Sequence, residues 1–205
     1  MRLLIATRNH GKLAEFKRLL TMPGLEIVGL ADLPITIEVE ETGATFRDNA
    51  LIKAKAYSEL TGELALADDS GLEVDALDGA PGVMSARYGG PGLSDEQRVR
   101  KLLGELKKVP GWKRTARFRA ALALYGPGVP AEGIVTEGLL EGAITHQPIG
   151  SNGFGYDPVF WIASEAATTA MLSGARKDRL SHRGRAARAM LEHLTRIARS
   201  ADSRR

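Results

Sequence analysis

Cysteine is absent from all 205 residues, which excludes disulfides, zinc–thiolate sites and a cysteine nucleophile. That absence fits a reducing compartment such as the cytoplasm. Long apolar runs are missing too. The longest near the N-terminus is Leu3-Leu4-Ile5-Ala6, far short of a signal-peptide core or a membrane span. Aromatics make up only 5% of the chain, too few to support a stacking platform for single-stranded nucleic acid. Neither sign of charge is scarce: 28 Lys and Arg stand against 25 Asp and Glu. The small basic excess gathers late, at Arg176, Lys177, Arg179, Arg183, Arg185, Arg188, Arg196, Arg199, Arg204 and Arg205. After Arg185 it reads as a solvated helix face ending in a basic tail at 201–205. A nucleic-acid-binding module built on that helix is the rival reading, and it leaves the acidic and glycine-rich motifs described next without a purpose.

What is present alternates between strand and helix. Arg2 to Ala6 reads as a short buried strand. The polar turn Thr7-Arg8-Asn9-His10-Gly11-Lys12 follows, then Leu13, Phe16, Leu19 and Leu20 at helical spacing, then a strand at Leu25–Leu30. Thr45 is placed to cap a helix reaching Thr61, with Phe46, Ala50, Ala54 and Tyr57 on its buried stripe and Asn49 and Lys53 on another face. Leu64 to Ala67 reads as a short strand ending in a turn, Asp68-Asp69-Ser70-Gly71. Ser94 and Gln97 form a capping box that opens a helix to about Leu106. Strands are expected at Ala116–Tyr125, Gly133–Val135, Leu139–Ile144 and Val159–Ile162, and a last helix from about Ser181. The fold class is α/β with a mixed sheet.

Four segments could carry chemistry. A strand–turn–helix with Gly11 and Lys12 at the helix start suits an anion, because backbone N–H groups and the helix dipole point at it. Leu13 after the lysine rules out a Walker A loop. Asp68 and Asp69 at a strand end are costly to bury without a cation, and hard carboxylate oxygens suit magnesium; Glu40 or Glu41 could add another. In Gly150-Ser151-Asn152-Gly153-Phe154-Gly155-Tyr156-Asp157-Pro158, glycines would let backbone approach a planar ligand while Phe154 stacks on it. Finally, Ser181 as an N-cap would set His182 and Arg183 in the first helical turn, facing outward. A cation there opposes the helix dipole, so a ligand-facing role would explain Arg183 better than fold stability does.

In the order TRNHGK, EETGATFRDNA with Lys53, ADDSGL, SARY, GSNGFGYDP and SHRGRA, the chain resembles the non-canonical purine nucleoside triphosphate pyrophosphatases, or inosine triphosphate pyrophosphatase family. The resemblance runs from Ile5 to about Ala189. It implies an elongated mixed twisted sheet flanked by helices, with two lobes around a central cleft, in a single domain over 1–200. It also implies a cytosolic, magnesium-dependent homodimer that acts on small nucleoside triphosphates and binds neither membrane nor nucleic acid. By the same resemblance Thr7, Arg8, Asn9, His10, Gly11 and Lys12 hold phosphates. Asp69 accepts a proton and binds metal with Glu41, and Asp68 lies nearby; the adjacent Glu40 leaves a one-residue ambiguity. Ser70, Phe154, Gly155, Tyr156, Asp157, Lys177, His182 and Arg183 bind the nucleotide. Arg176 departs from the acidic residue many members carry before the matching lysine.

The reaction so implied is attack of water on the α-phosphate, releasing pyrophosphate, a chemistry that demands positioning and charge neutralisation. Lys12, Lys53 and magnesium would compensate the triphosphate, and Asp69 would orient or deprotonate the water. Selection for inosine and xanthine over adenine would rest on donors, such as His182 and Arg183, that pair with a 6-carbonyl and are left unpaired by a 6-amino group. A related enzyme with a preference for modified pyrimidines is the nearest alternative.

Overall fold

The computed structural model describes residues 1–202. The basic tail assigned to 201–205 lies outside the residues whose side chains are described. The strands are β1 (Arg2–Ile5), β2 (Glu26–Gly29), β3 (Leu64–Val74), β4 (Thr115–Tyr125), β5 (Ile134–Ile144), β6 (Phe160–Ile162) and β7 (Ala167–Thr168). The helices are α1 (His10–Leu19), α2 (Phe46–Thr61), α3 (Asp95–Glu105), α4 (Gly174–Leu180) and α5 (His182–Asp202). One sheet runs β2-β1-β3-β4-β5-β6-β7. It is mixed: β1 pairs parallel with β2 and β3, whereas β6 pairs antiparallel with β5 and β7. The parallel β1–β2 pair needs a crossover, and α1 supplies it. Among the described residues no helix is long and apolar enough to cross a membrane.

The chain divides into two compact units, each discontinuous in sequence: 1–69, 120–138 and 183–205 in the first, 70–119 and 139–182 in the second. In the first, Leu3 and Ile5 of β1, Leu64 and Leu66 of β3 and Leu122 and Leu124 of β4 share a core with Phe16 of α1, Leu20 at its C-cap, and Met190 and Leu194 of α5. In the second, Leu72 and Val74 of β3 pack with Val99, Leu102 and Leu106 at α3, Phe118, and Phe160 of β6.

Local signals set the helix ends. Thr45 Oγ1 accepts from Asp48 N–H at 3.1 Å and caps α2. At α3 the capping box is reciprocal, with Gln97 N–H to Ser94 Oγ at 3.3 Å and Ser94 N–H to Gln97 Oε1 at 2.7 Å. Two expectations fail. The acidic pair is not a turn after a short strand, because β3 continues through Asp68, Asp69, Ser70 and Gly71 to Val74. The two strands expected at 133–135 and 139–144 are one, since β5 runs unbroken across Glu137 and Gly138. The last helix starts where expected, at His182 directly after Ser181, and Ser181 also ends a separate helix, α4, its N–H donating to Lys177 O at 2.8 Å.

Candidate active site

Strand alternation organises the first unit's chemistry. Neighbouring side chains on β3 point to opposite faces of the sheet, so Asp68 shares a face with Leu64 and Leu66, which pack with α1 and α5. Asp69 takes the other face, toward α2. The two carboxylates therefore meet different partners, although they are adjacent in sequence.

On the first face, Lys12 Nζ lies 2.7 Å from Asp68 Oδ2 and Arg183 Nη2 lies 3.3 Å from the same oxygen. Arg183 Nη1 lies 2.5 Å from Glu15 Oε2. Glu15, Asp68 and Arg183 are all buried, where an ion pair survives only if its charges are well matched. Burial alone would raise the pKa of Asp68, but Arg183 and Lys12 overcome it and hold the carboxyl well below its ordinary range. Burial likewise acts to lower Arg183, and Asp68 and Glu15 reverse that and raise it. For Lys12 burial wins and the pKa is lowered, with Arg183 and Lys53 working in the same direction against Asp68. The turn that presents Lys12 is built locally. Asn9 caps α1 by accepting from Lys12 N–H at 3.0 Å, and Thr7 Oγ1 accepts from Asn9 N–H at 3.2 Å. Arg8 points elsewhere, donating to the Ile35 carbonyl at 2.8 Å.

On the second face, Lys53 Nζ donates to Glu41 Oε1 at 2.6 Å and to the Asp68 carbonyl at 2.8 Å, and stands 4.0 Å from Asp69 Oδ1. Asn49 of α2 is buried, and its Oδ1 takes the Gly43 N–H at 2.7 Å. Asp69 Oδ2 is buried without a hydrogen-bond partner among the described residues. Burial raises the Asp69 pKa to about 6; Glu41 adds to the rise, while Lys53, Lys12 and Asn49 act against it. Lys53 is committed to Glu41 and to backbone, and Lys12 and Arg183 to Asp68 and Glu15. Asp69 is the carboxylate of this group left short of positive charge. Among the described residues no three His, Asp or Glu side chains form a metal-holding group. Of Glu41, Asp68 and Asp69, the first and last stand near Lys53, whereas Asp68 is paired with Lys12 and Arg183.

The second unit holds the other candidate residues. Lys177 Nζ, buried, lies 2.5 Å from Asp157 Oδ2 and 4.8 Å from the centre of the Phe154 ring. Asp157 Oδ2 also accepts from Phe154 N–H at 2.9 Å. Tyr156 OH donates to the Ser85 carbonyl at 3.0 Å, and Ser85 Oγ accepts from Leu72 N–H at 2.8 Å. The SARY segment thereby ties the glycine-rich loop to β3. Gly150 has φ +84°, and a Cβ on it would stand 2.7 Å from Ala170 backbone atoms, so the chain passes there only without a side chain. A cavity of about 630 Å³ lies between this loop and the first turn of α3, lined by Asp95, Val99, Gly153 and Phe154 among others. Arg176 is ion-paired with Glu165 at 2.6 Å.

His182 and Arg183 do not face outward as expected. Both are buried; the His182 ring stacks on Phe118 at 4.8 Å and 19°, and Arg183 is bound to Glu15 and Asp68. Glu15 is the residue sequence reasoning missed. A lone glutamate on an amphipathic helix looks solvated, and its spacing three residues after Lys12 was the available signal.

Known proteins resemble this chain over most of its length. The model of the Ham1 family matches residues 3–193. A dITP/XTP pyrophosphatase of Bacillus licheniformis is 49% identical over 183 residues, 89% of this chain and 92% of the relative. One from Geobacter sulfurreducens is 49% identical over 193 residues, covering 94% and 96%. Among solved structures, a Staphylococcus aureus Ham1 protein superposes with a TM-score of 0.84 at 38% identity, covering 95% of this chain and 98% of that one. A Coxiella burnetii HAM1 protein gives 0.85 at 39%, covering 96% and 99%.

Proposed function

The chain belongs to the Ham1 family, and from that membership and the site's geometry we infer that it hydrolyses dITP, XTP and ITP to the monophosphate and pyrophosphate. The single observation that carries the chemistry is Asp69, whose Oδ2 is buried and unpartnered. Such an atom calls for a proton, a water or a cation. The donor set suits magnesium: Asp69 with Glu41 provides hard oxygens, and a triphosphate would complete a coordination that these side chains do not fill alone. Bound there, the metal would neutralise phosphate charge and favour ionised Asp69.

The remaining steps belong to the chain's own groups. Lys12 can exchange Asp68 for a phosphate oxygen, because Arg183 stays on Asp68 and keeps that buried carboxylate paired. Lys53 sits beside Glu41 and Asp69 and adds a second positive charge. Asp69, with a pKa near 6, is a stronger proton acceptor than an ordinary carboxylate and can orient and deprotonate the attacking water at Oδ2. Phe154 over Lys177 offers a face for the purine, and Ser70, Gly155, Tyr156, Asp157 and His182 complete the nucleotide contacts. Arg183 reaches a 6-carbonyl only by giving up part of its hold on Glu15 or Asp68. Thr7, Asn9 and Gly11, with Arg8 and His10 beside them, shape the phosphate turn. We place the enzyme in the cytoplasm as a homodimer, on the strength of the family resemblance; a sizing measurement checks the second point.

The test is a panel of triphosphates with magnesium, assayed separately for pyrophosphate and orthophosphate. Pyrophosphate from dITP and XTP, little turnover of ATP, and near-complete loss in Asp69→Asn are expected. Orthophosphate as the direct product, or equal turnover of ATP and ITP, refutes the reading.

A further inference from the structure

The nucleotide-binding loop is pinned from outside by a residue that none of its motifs contains. Asp95 opens α3, immediately after the Ser94 cap, a position where a carboxylate also complements the helix dipole. Its Oδ2 accepts from Gly155 N–H at 2.8 Å across 60 residues of sequence. Its Oδ1 accepts from Arg98 Nη1 at 3.0 Å, one turn further along the same helix. Each carboxylate oxygen therefore has its own donor, and Arg98 fixes the plane in which the other oxygen meets the loop. Gly155 stands at φ +59°, the left-handed conformation that lets the chain turn between Phe154 and Tyr156. No Cβ clash enforces that glycine, since nothing lies within 4 Å of where one would be. Conformation and the hydrogen bond to Asp95 account for the turn.

We propose that Asp95 is a positioning residue for nucleotide binding: by holding the Gly155 amide it sets where the Phe154 ring and the Tyr156 backbone stand. Three anchors then surround one loop. Tyr156 is tied to Ser85, Asp157 to Lys177, and Gly155 to Asp95. Asp157 also takes the Phe154 N–H and so holds the backbone of the ring residue itself, while Asp95 holds the next residue, Gly155, from the side of α3. The cavity beside the loop is lined by Asp95 and Phe154, so a loop released from Asp95 has room to shift.

This rests on the reading that the loop binds the base, and the experiment separates the two. The variants are Asp95→Ala, Asp95→Asn and Phe154→Ala in the full chain with magnesium. For each, kcat and KM for dITP, inhibition by inorganic tripolyphosphate and the thermal midpoint are measured. Asp95→Ala should raise KM for dITP about fivefold, the size of one lost charge-assisted hydrogen bond on a half-exposed side chain, with tripolyphosphate inhibition unchanged. Asp95→Asn retains an acceptor and should recover most of the loss. A merely structural role would instead move tripolyphosphate inhibition, kcat and the thermal midpoint together. An unchanged KM in Asp95→Ala, beside a raised KM in Phe154→Ala, overturns the role of Asp95 alone. An unchanged KM in Phe154→Ala overturns the base-binding reading and the proposal with it.

Discussion

Replacing Asp69 with asparagine should stabilise the metal-free protein while destroying its activity. The folded state raises the Asp69 pKa from 3.8 to about 6, so it holds this proton more tightly than the unfolded chain does. The cost of ionising the side chain is absent below about pH 4, where both states are protonated, and grows between pH 4 and 6. Above about pH 6 it is complete, at about 3 kcal/mol from 1.36 kcal/mol per pH unit. The side chain is only 8% exposed, so little of this is screened by solvent. Asparagine has nearly the same shape and carries no charge, which removes the cost. For a chain of this length 3 kcal/mol corresponds to a rise in Tm of roughly 6–12 °C. The assay is thermal unfolding followed by circular dichroism in EDTA at pH 4, 6 and 8. Asp69→Asn should match the wild type at pH 4 and exceed it at pH 8. Magnesium should raise the Tm of the wild type at pH 8 and leave the variant nearly unmoved. A variant no more stable than wild type at pH 8 would refute the claim that Asp69 is an uncompensated buried charge.

Two further outcomes follow from the same charges and from the loop. Arg183→Met should cost about 3–5 kcal/mol in urea unfolding, because it leaves Glu15 and Asp68 buried without their shared cation; adding Glu15→Met should lose less than the two single changes summed. Gly150→Ala should destabilise by more than about 1 kcal/mol, since it combines a left-handed backbone with a Cβ 2.7 Å from Ala170; an unchanged unfolding midpoint would contradict the close approach.

Features with local causes were legible in the sequence. The Thr45 cap, the Ser94–Gln97 box and the apolar stripes of α1, α2 and α5 are contained within a few residues each, and the structure has them where the spacing placed them. Asp, Ser and Gly favour turns, so local preference alone makes the acidic pair look like one. What keeps it in a strand comes from far away: Arg183 is 115 residues from Asp68 and 168 from Glu15. Tertiary neutralisation outweighed local preference there. The same distance hid the burial of Arg183, for a helix start looks exposed until the carboxylates opposite it are known. Lys177 and Asp157 each stand out in the sequence, but not as partners of one another. The helix at 174–180 spans only seven residues, too short for periodicity to separate it from α5.

The strand through Asp68 and Asp69 makes the length of the preceding segment, and not only its composition, a condition of function. Removing one residue between Leu64 and Ala67 would slide the frame and turn every later side chain to the opposite face. Asp69 would then be delivered to Lys12 and Arg183, and Ser70 would stand beside Lys53. Both aspartates would still be present, with Asp69 neutralised and no carboxylate in its place. This stretch should tolerate exchanges such as leucine for isoleucine yet admit no insertion or deletion of an odd number of residues. Two identical letters side by side thus carry different meanings, and what tells them apart is parity.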